Sequence, residues 1–268
     1  MRGAHAGILI VMPPRRSPLP QSLAPVFTVA EARAVGVSAQ RLRAPDVRRL
    51  SRGVYARTGM DVTILDLARA FCSDASDVVV CGPTAAGLLG MPLPFRHLAR
   101  ETGLLDLAAR TRRRDAPYVR WHQLGALDAH DVLETGGVRV TTRVRTWGDL
   151  STALELDELT SVADHLVRHP RFRFEGRRRP YATLDELRGS VENRPGKRGN
   201  EALRAALDQA RVGSDSPAET MLRLHLVRAG LPEPRSTSRS SKAGWTWGSP
   251  TSPGPSSVCV PSTRGQHI

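Results

Sequence analysis

Glu219 stands near the start of the helix signalled by SDSPAETMLRLHLVRAGLPEP, residues 214–234, and its carboxylate is of the type a hydrolytic metal site uses. Magnesium takes oxygen ligands and lowers the pKa of an attacking water, so such a site needs carboxylates converging from separate elements. No acid follows Glu233, so the tail has no partners to offer. Glu219 also sits three residues after Ser216, and a capping box alone accounts for that position. The eight His residues show no ligand spacing, and Cys72, Cys81 and Cys259 form no CxxC pair. His225, on a mixed helix face, reads as a surface residue rather than a base. RPGKRGN, residues 194–200, lacks the GxxxxGK[ST] spacing and a preceding strand, which excludes a phosphate loop. No metal or cofactor is expected from these residues.

The second chemistry open to the chain is phosphate contact. The net charge is +13, with a pI near 11.1, and it is unevenly spread. Residues 1–60 carry +8, residues 61–170 carry −3, and residues 171–234 and 235–268 carry +4 each. A basic N-terminal footprint suits nucleic acid. Of the 39 basic residues only Lys197 and Lys242 are lysines; a GC-rich genome accounts for that bias as well as phosphate recognition does. Two further runs, Arg110 to Arg114 and RFRFEGRRR at 171–179, suit phosphate contact with stacking, and equally suit a solvated surface.

These residues must be held by elements. Over residues 26–57, Thr28 with Glu31 forms a capping box for a short helix ending at Gly36, and Ser38 starts another after a brief turn. That spacing predicts a helix-turn-helix. Its second helix carries Arg41 and Arg43, facing the major groove. Arg48, Arg49 and Arg52, before the strand-like Gly53-Val54-Tyr55-Ala56, hold phosphates as a wing. Residues 61–170 read as α+β. Ile64 to Phe71 recur at helical spacing, Val119/Trp121 and Val138/Val140 alternate as strands, Thr146 and Asp149 form a cap-like start, and Asp157 caps a helix carrying Leu159, Val162, Ala163 and Leu166. Trp147, at a helix start, reads as a packing residue rather than a base-stacking one. Residues 171–200 read as a basic linker and 201–234 as two helices, the second opened by Ser216 and Pro217 with Leu222, Leu226 and Ala229 on its apolar face. Residues 1–19 are expected to be disordered or a mis-assigned start. Residues 235–268 have no apolar periodicity and are expected to be disordered. Three unpaired cysteines point to a reduced, cytoplasmic protein, and GILIVM at 7–12 is too short to span a membrane.

The segment at 26–57 resembles the N-terminal winged-helix domain of abortive-infection type IV antitoxins, with their "FT…A…aG…RL…RGVYA" pattern. PTAAGLLGMP at 83–92 resembles the family's "AA-x-L-x-G-x-P" turn, and VRVTTRVRTWGDL at 138–150 its "VT…RT-x-x-DL" signature. SPAETMLRLHLVRAGLPEP is similar to the opening of the very-short-patch-repair-like endonuclease domain that many of these proteins carry. The resemblance implies a winged helix-turn-helix, a middle α+β domain, and the helical beginning of a nuclease domain. Two functions follow. One is an antitoxin-like DNA-binding regulator, with duplex DNA and a cognate toxin as partners. The other is a Mg²⁺-dependent DNA endonuclease with Glu219 as one carboxylate.

The tail discriminates between them. Ser, Thr, Pro, Gly and Trp replace the alternating apolar residues a nuclease sheet requires. Read one nucleotide earlier, with GC-rich third positions, residues 235–259 become a period-2 sequence containing Pro-Asp-Leu-Ala-Trp-Pro. That step is similar to the family's first metal-ligand strand. The sequence therefore predicts a frame-shifted, catalytically incomplete nuclease domain in which Glu219 is vestigial.

Overall fold

Thr28 turns the chain from strand β1 (Val26–Thr28) into helix α1 (Val29–Ala34). Its Oγ1 accepts the Glu31 N–H at 3.2 Å, while the Glu31 carboxylate accepts the Thr28 N–H at 2.6 Å. This is the capping box read from the sequence. Gly36, at a φ of 78°, ends the helix in the left-handed conformation glycine permits. A second helix was expected from Ser38, but the chain forms only a 3₁₀ turn, Arg41–Arg43. The cause is Pro45, which disfavours a helical Ala44; Ala44 is extended, at φ −75° and ψ 154°.

Strands β2 (Val47–Ser51) and β3 (Val54–Arg57) follow as a hairpin turning at Gly53, whose φ is 82°. The antiparallel sheet has order β1-β3-β2. The hairpin expected after this turn is therefore present, and the helix expected to start at Ser38 is reduced to one turn. Leu19, Leu23, Phe27, Ala32, Val37 and Leu42 form the core under this sheet. Phe27 stacks on Tyr55 with ring centroids 6.2 Å apart. Leu19 thus belongs to the folded unit, and the rest of the expectation for residues 1–19 lies outside the described residues except for 17 and 18. Helix α2 (Ile64–Cys72), capped by Thr63 and Asp66, packs on β1. The computed structural model describes residues 17–73, 77–123, 127–194, 196, 198–236 and 245–246. It divides into two units. Among the described residues, the first runs to residue 73 and includes 116–118; the second holds 77–115 and those from 119 onward. The first boundary accordingly falls after α2 rather than at 60.

The second unit is built on a five-stranded mixed sheet. Along the chain come β4 (Val79–Val80), α3 (Gly82–Leu88), α4 (Ala99–Thr102), β5 (Leu105–Ala109), β6 (Val119–Gln123), β7 (Val132–Thr135) and β8 (Val138–Thr141). Their order is β6-β5-β4-β8-β7, with β4/β8 and β5/β6 parallel and the other pairs antiparallel. Every residue of β4 and β5 is buried, as central strands covered on both faces require. Helices α5 (Arg143–Leu150), α6 (Leu156–Val167), α7 (Phe172–Glu175), α8 (Leu184–Glu192), α9 (Asn200–Gln209) and α10 (Pro217–Arg228) complete the unit. Helix α3 packs on β5 and α5, α5 on α6 and α8, and α6 on α9 and α10. Trp147 is fully buried, and its indole N–H donates to the Leu159 carbonyl at 3.1 Å, tying α5 to α6.

Two helix starts differ from expectation. Thr142, at the end of β8, caps α5. Thr146 lies inside the helix, where its hydroxyl donates to the Thr141 carbonyl at 3.1 Å. Glu155 caps α6 with Glu158, and Asp157 instead binds Arg228 of α10. The stretch read as a linker folds as α7 and α8, with Leu187 and Val191 buried. Helices α9 and α10 belong to this unit and do not open a separate one. The expectation for the tail lies outside the described residues, except that Arg235–Ser236 (β9) and Trp245–Thr246 (β10) pair as antiparallel strands. Among the described residues no helix is long and apolar enough to cross a membrane.

Candidate nucleic-acid interface

The first unit carries the five arginines expected to touch DNA, and the fold treats them unequally. Arg41 donates from Nη1 and Nη2 to the Asp46 carboxylate at 2.8 and 2.5 Å, and from Nε to the Ser17 carbonyl at 2.8 Å. All three guanidinium nitrogens are thereby engaged within the protein. Arg43 is exposed on the same turn. Arg48 and Arg49 are both exposed, because β2 is an edge strand whose pairing with β3 shifts between Arg49 and Ser51. Arg48 lies 5.8 Å from the Tyr118 ring centroid. Arg49 donates from Nε to the Ser51 carbonyl at 3.2 Å. Arg52 projects from the tight turn beside Gly53 and is exposed. None of these four has an acidic partner among the described residues.

Only half of the capping box expected at Glu219 forms, because its carboxylate turns to Asp215 rather than to the Ser216 N–H. The Glu219 N–H donates to Ser216 Oγ at 3.3 Å, and its carboxylate accepts the Asp215 N–H at 2.9 Å. Asp215 in turn holds Arg171 at 2.6 Å. No three His, Cys, Asp or Glu side chains among the described residues are grouped to hold a metal. Helix α10 also turns a different face inward than its apolar spacing suggested. Thr220, Arg223 and Leu224 are buried, Leu222 is 55% exposed, and Ala229 is exposed. The reason lies on α6. Asp164, 1% exposed, accepts from Thr220 Oγ1 at 2.9 Å, from Arg223 Nη2 at 2.9 Å and from the Arg211 N–H at 2.6 Å. A buried carboxylate must be satisfied, and that requirement outweighs the burial of Leu222.

Three more polar clusters in the second unit escaped the sequence reading. Asp106, on buried β5, accepts from Thr84 Oγ1 at 3.1 Å and lies 2.9 Å from His122 Nε2. The Asp149 carboxylate accepts from Arg145 Nε at 3.1 Å, and Arg145 Nη1 reaches Asp131 at 2.9 Å. Burial raises the Asp149 carboxyl despite Arg145 and Arg194. Burial, with Asp149 and Asp106 nearby, likewise pushes the Cys81 thiol up, so this cysteine is an unreactive packing residue. In the third cluster the Arg143 and Arg177 guanidiniums lie 4.0 and 3.9 Å from the Tyr181 ring centroid. Apart from the i,i+4 spacing of Arg145 and Asp149 on α5, no short-range signal announces these groups, since their other members are drawn together by the fold from distant positions.

No protein-family model matches the sequence, and no curated protein does. Among solved structures the chain is similar to the crystal structure of the RV2827C protein from Mycobacterium tuberculosis. The two share 14% identity over 74% of this chain and 75% of that one, with a TM-score of 0.44.

Proposed function

We propose that the chain is a DNA-binding regulator of the antitoxin-like type, catalytically incomplete, whose first unit holds duplex DNA through Arg43, Arg48, Arg49 and Arg52. The observation that carries this reading is that these four exposed guanidiniums cluster on one turn and one hairpin without acidic partners among the described residues. Phosphate neutralisation releases counterions and needs only cations at suitable spacing. Base readout needs a helix or ribbon seated in the groove. With the second helix cut to one 3₁₀ turn and Arg41 held by Asp46, affinity comes chiefly from the phosphate backbone through the wing. Arg41 orders the turn that displays Arg43.

Electrophoretic or fluorescence binding to a short duplex over a range of salt concentrations tests this. Each of Arg48→Ala, Arg49→Ala and Arg52→Ala is expected to lower the log-log salt slope by about one unit. Arg41→Ala should leave that slope nearly unchanged. If the triple variant Arg48→Ala/Arg49→Ala/Arg52→Ala, shown to be folded, binds as the parent does, the wing is not the interface.

A further inference from the structure

Residues 110–118 join the neighbouring parallel strands β5 and β6. So short a crossover has no room for the usual helix, so Arg110, Arg112, Arg113 and Arg114 ride on a loop beside the sheet. Strand β6 is an edge strand, and it presents Trp121 and Gln123 next to that loop. Together Arg112, Arg113, Arg114, Asp115, Trp121 and Gln123 line a concavity of about 520 Å³, within the range of about 300–1,000 Å³ typical of small-molecule sites.

The lining is differentiated. Asp115 is engaged by the backbone, accepting the Trp121 N–H at 2.7 Å. Arg113 donates to Asp77 at 3.1 and 3.2 Å and lies 4.7 Å from the Trp121 ring centroid, which fixes one guanidinium against the indole. Arg112 and Arg114 are exposed and have no acidic partner among the described residues. Two uncommitted guanidiniums, a half-buried indole and a side-chain amide thus line one hollow. Guanidinium matches phosphate bidentately, an indole face stacks on any nucleobase, and an amide offers a donor and an acceptor to a base edge.

We propose that this concavity binds a phosphorylated nucleoside unit, with its base against Trp121 and its phosphate on Arg112 and Arg114. The unit is either a free nucleoside monophosphate or the 5′-phosphorylated end of a single strand. The site lies in the second unit and stands independently of the duplex-binding wing.

Calorimetric titration of the full chain at low ionic strength, with AMP, adenosine, inorganic phosphate, and a short oligothymidine with and without a 5′-phosphate, tests the proposal. Saturable binding of AMP or of the 5′-phosphorylated strand, at least about tenfold tighter than adenosine, phosphate or the unphosphorylated strand, is the expected result. Whichever of the two binds identifies the source. Arg112→Ala/Arg114→Ala should weaken that binding about tenfold or more while leaving the far-ultraviolet circular dichroism and melting temperature unchanged. Trp121→Phe, which keeps an aromatic face and guards against loss of fold, should retain most of the affinity. No saturation at millimolar ligand, equal binding of AMP and phosphate, or affinity insensitive to the double substitution would each overturn the proposal.

Discussion

His165 shows how one residue's surroundings set its chemistry. Its ring is 5.6 Å from that of Tyr181. Burial, reinforced by Arg168, Arg177 and Arg143, lowers its pKa from 6.5 to about 4, with Glu175 opposing weakly. The imidazole is therefore neutral in the folded protein over a range where the unfolded chain protonates it. Its contribution to stability is complete above pH 6.5 and is lost as the pH falls toward 4. Glu175 continues the trend at lower pH. Hydrogen bonds from Arg168 hold its carboxyl down at about 2, so its stabilisation fades as the pH drops from 4.5 toward 2. Denaturant midpoints measured between pH 7 and pH 4 should show the parent losing stability, by about 3 kcal/mol at most, where His165→Gln loses distinctly less. Equal slopes for the two proteins would mean that His165 does not titrate on unfolding. Residue type alone tells none of this. His165 and Arg41 were visible in the sequence, but the cations around one and the Asp46 clasp on the other were not.

At the scale of elements, the decisive contact is the one α6 makes with α10. Arg223, 2% exposed, reaches both Asp164 at 2.9 Å and Glu233 at 3.2 Å. Burial raises the Asp164 carboxyl even against the Arg211 N–H and Arg223, a sign that the cost of desolvation is only partly offset. Removing one member should then be far worse than removing both. Arg223→Met is expected to destabilise the second unit by about 3–5 kcal/mol by equilibrium unfolding, and Asp164→Leu/Arg223→Met to recover most of that loss. A double variant as unstable as the single one would show that the pair contributes net stability rather than helix register. The same contact explains what was legible. Ser216 and Pro217 announced where α10 begins, because caps act through neighbours three residues away. The face it buries depended on Asp164, dozens of residues earlier, and so was misassigned to Leu222, Leu226 and Ala229. Strand β5 was missed for a related reason: Leu-Asp-Leu-Ala-Ala carries an acid, and it is Thr84, His122 and Arg120 from elsewhere that make Asp106 tolerable in a buried strand. The capping box at Thr28 was readable, whereas the second helix failed because Pro45 outweighed the start signal at Ser38.

At the scale of the whole molecule, the question is whether the second unit can cut DNA. Two-carboxylate or three-carboxylate magnesium sites activate water only when the ligands converge on one point. In this chain Glu219 is spent on the Asp215 N–H, and residues 234–268 contain no acid. Helix α10 meanwhile leaves Leu222 and Val227 on its outer face, with Leu231 just beyond it, all substantially exposed. Apolar side chains in that position are what a further layer of strands would cover. We propose that the strands of the alternate frame of residues 235–259, which has period-2 segments and carries an acid in its Pro-Asp-Leu-Ala-Trp-Pro step, would form that layer. The test is genetic and biochemical. The gene's own codons should spell that pattern when read one base earlier. The 268-residue chain should leave duplex DNA intact with Mg²⁺ or Mn²⁺, whereas the frame-restored chain should cleave it and lose cleavage on Glu219→Ala. Codons that yield no alternating strand would end the frame-shift idea, and metal-dependent cleavage by the unrestored chain that Glu219→Ala abolishes would show that its catalytic carboxylates are complete after all.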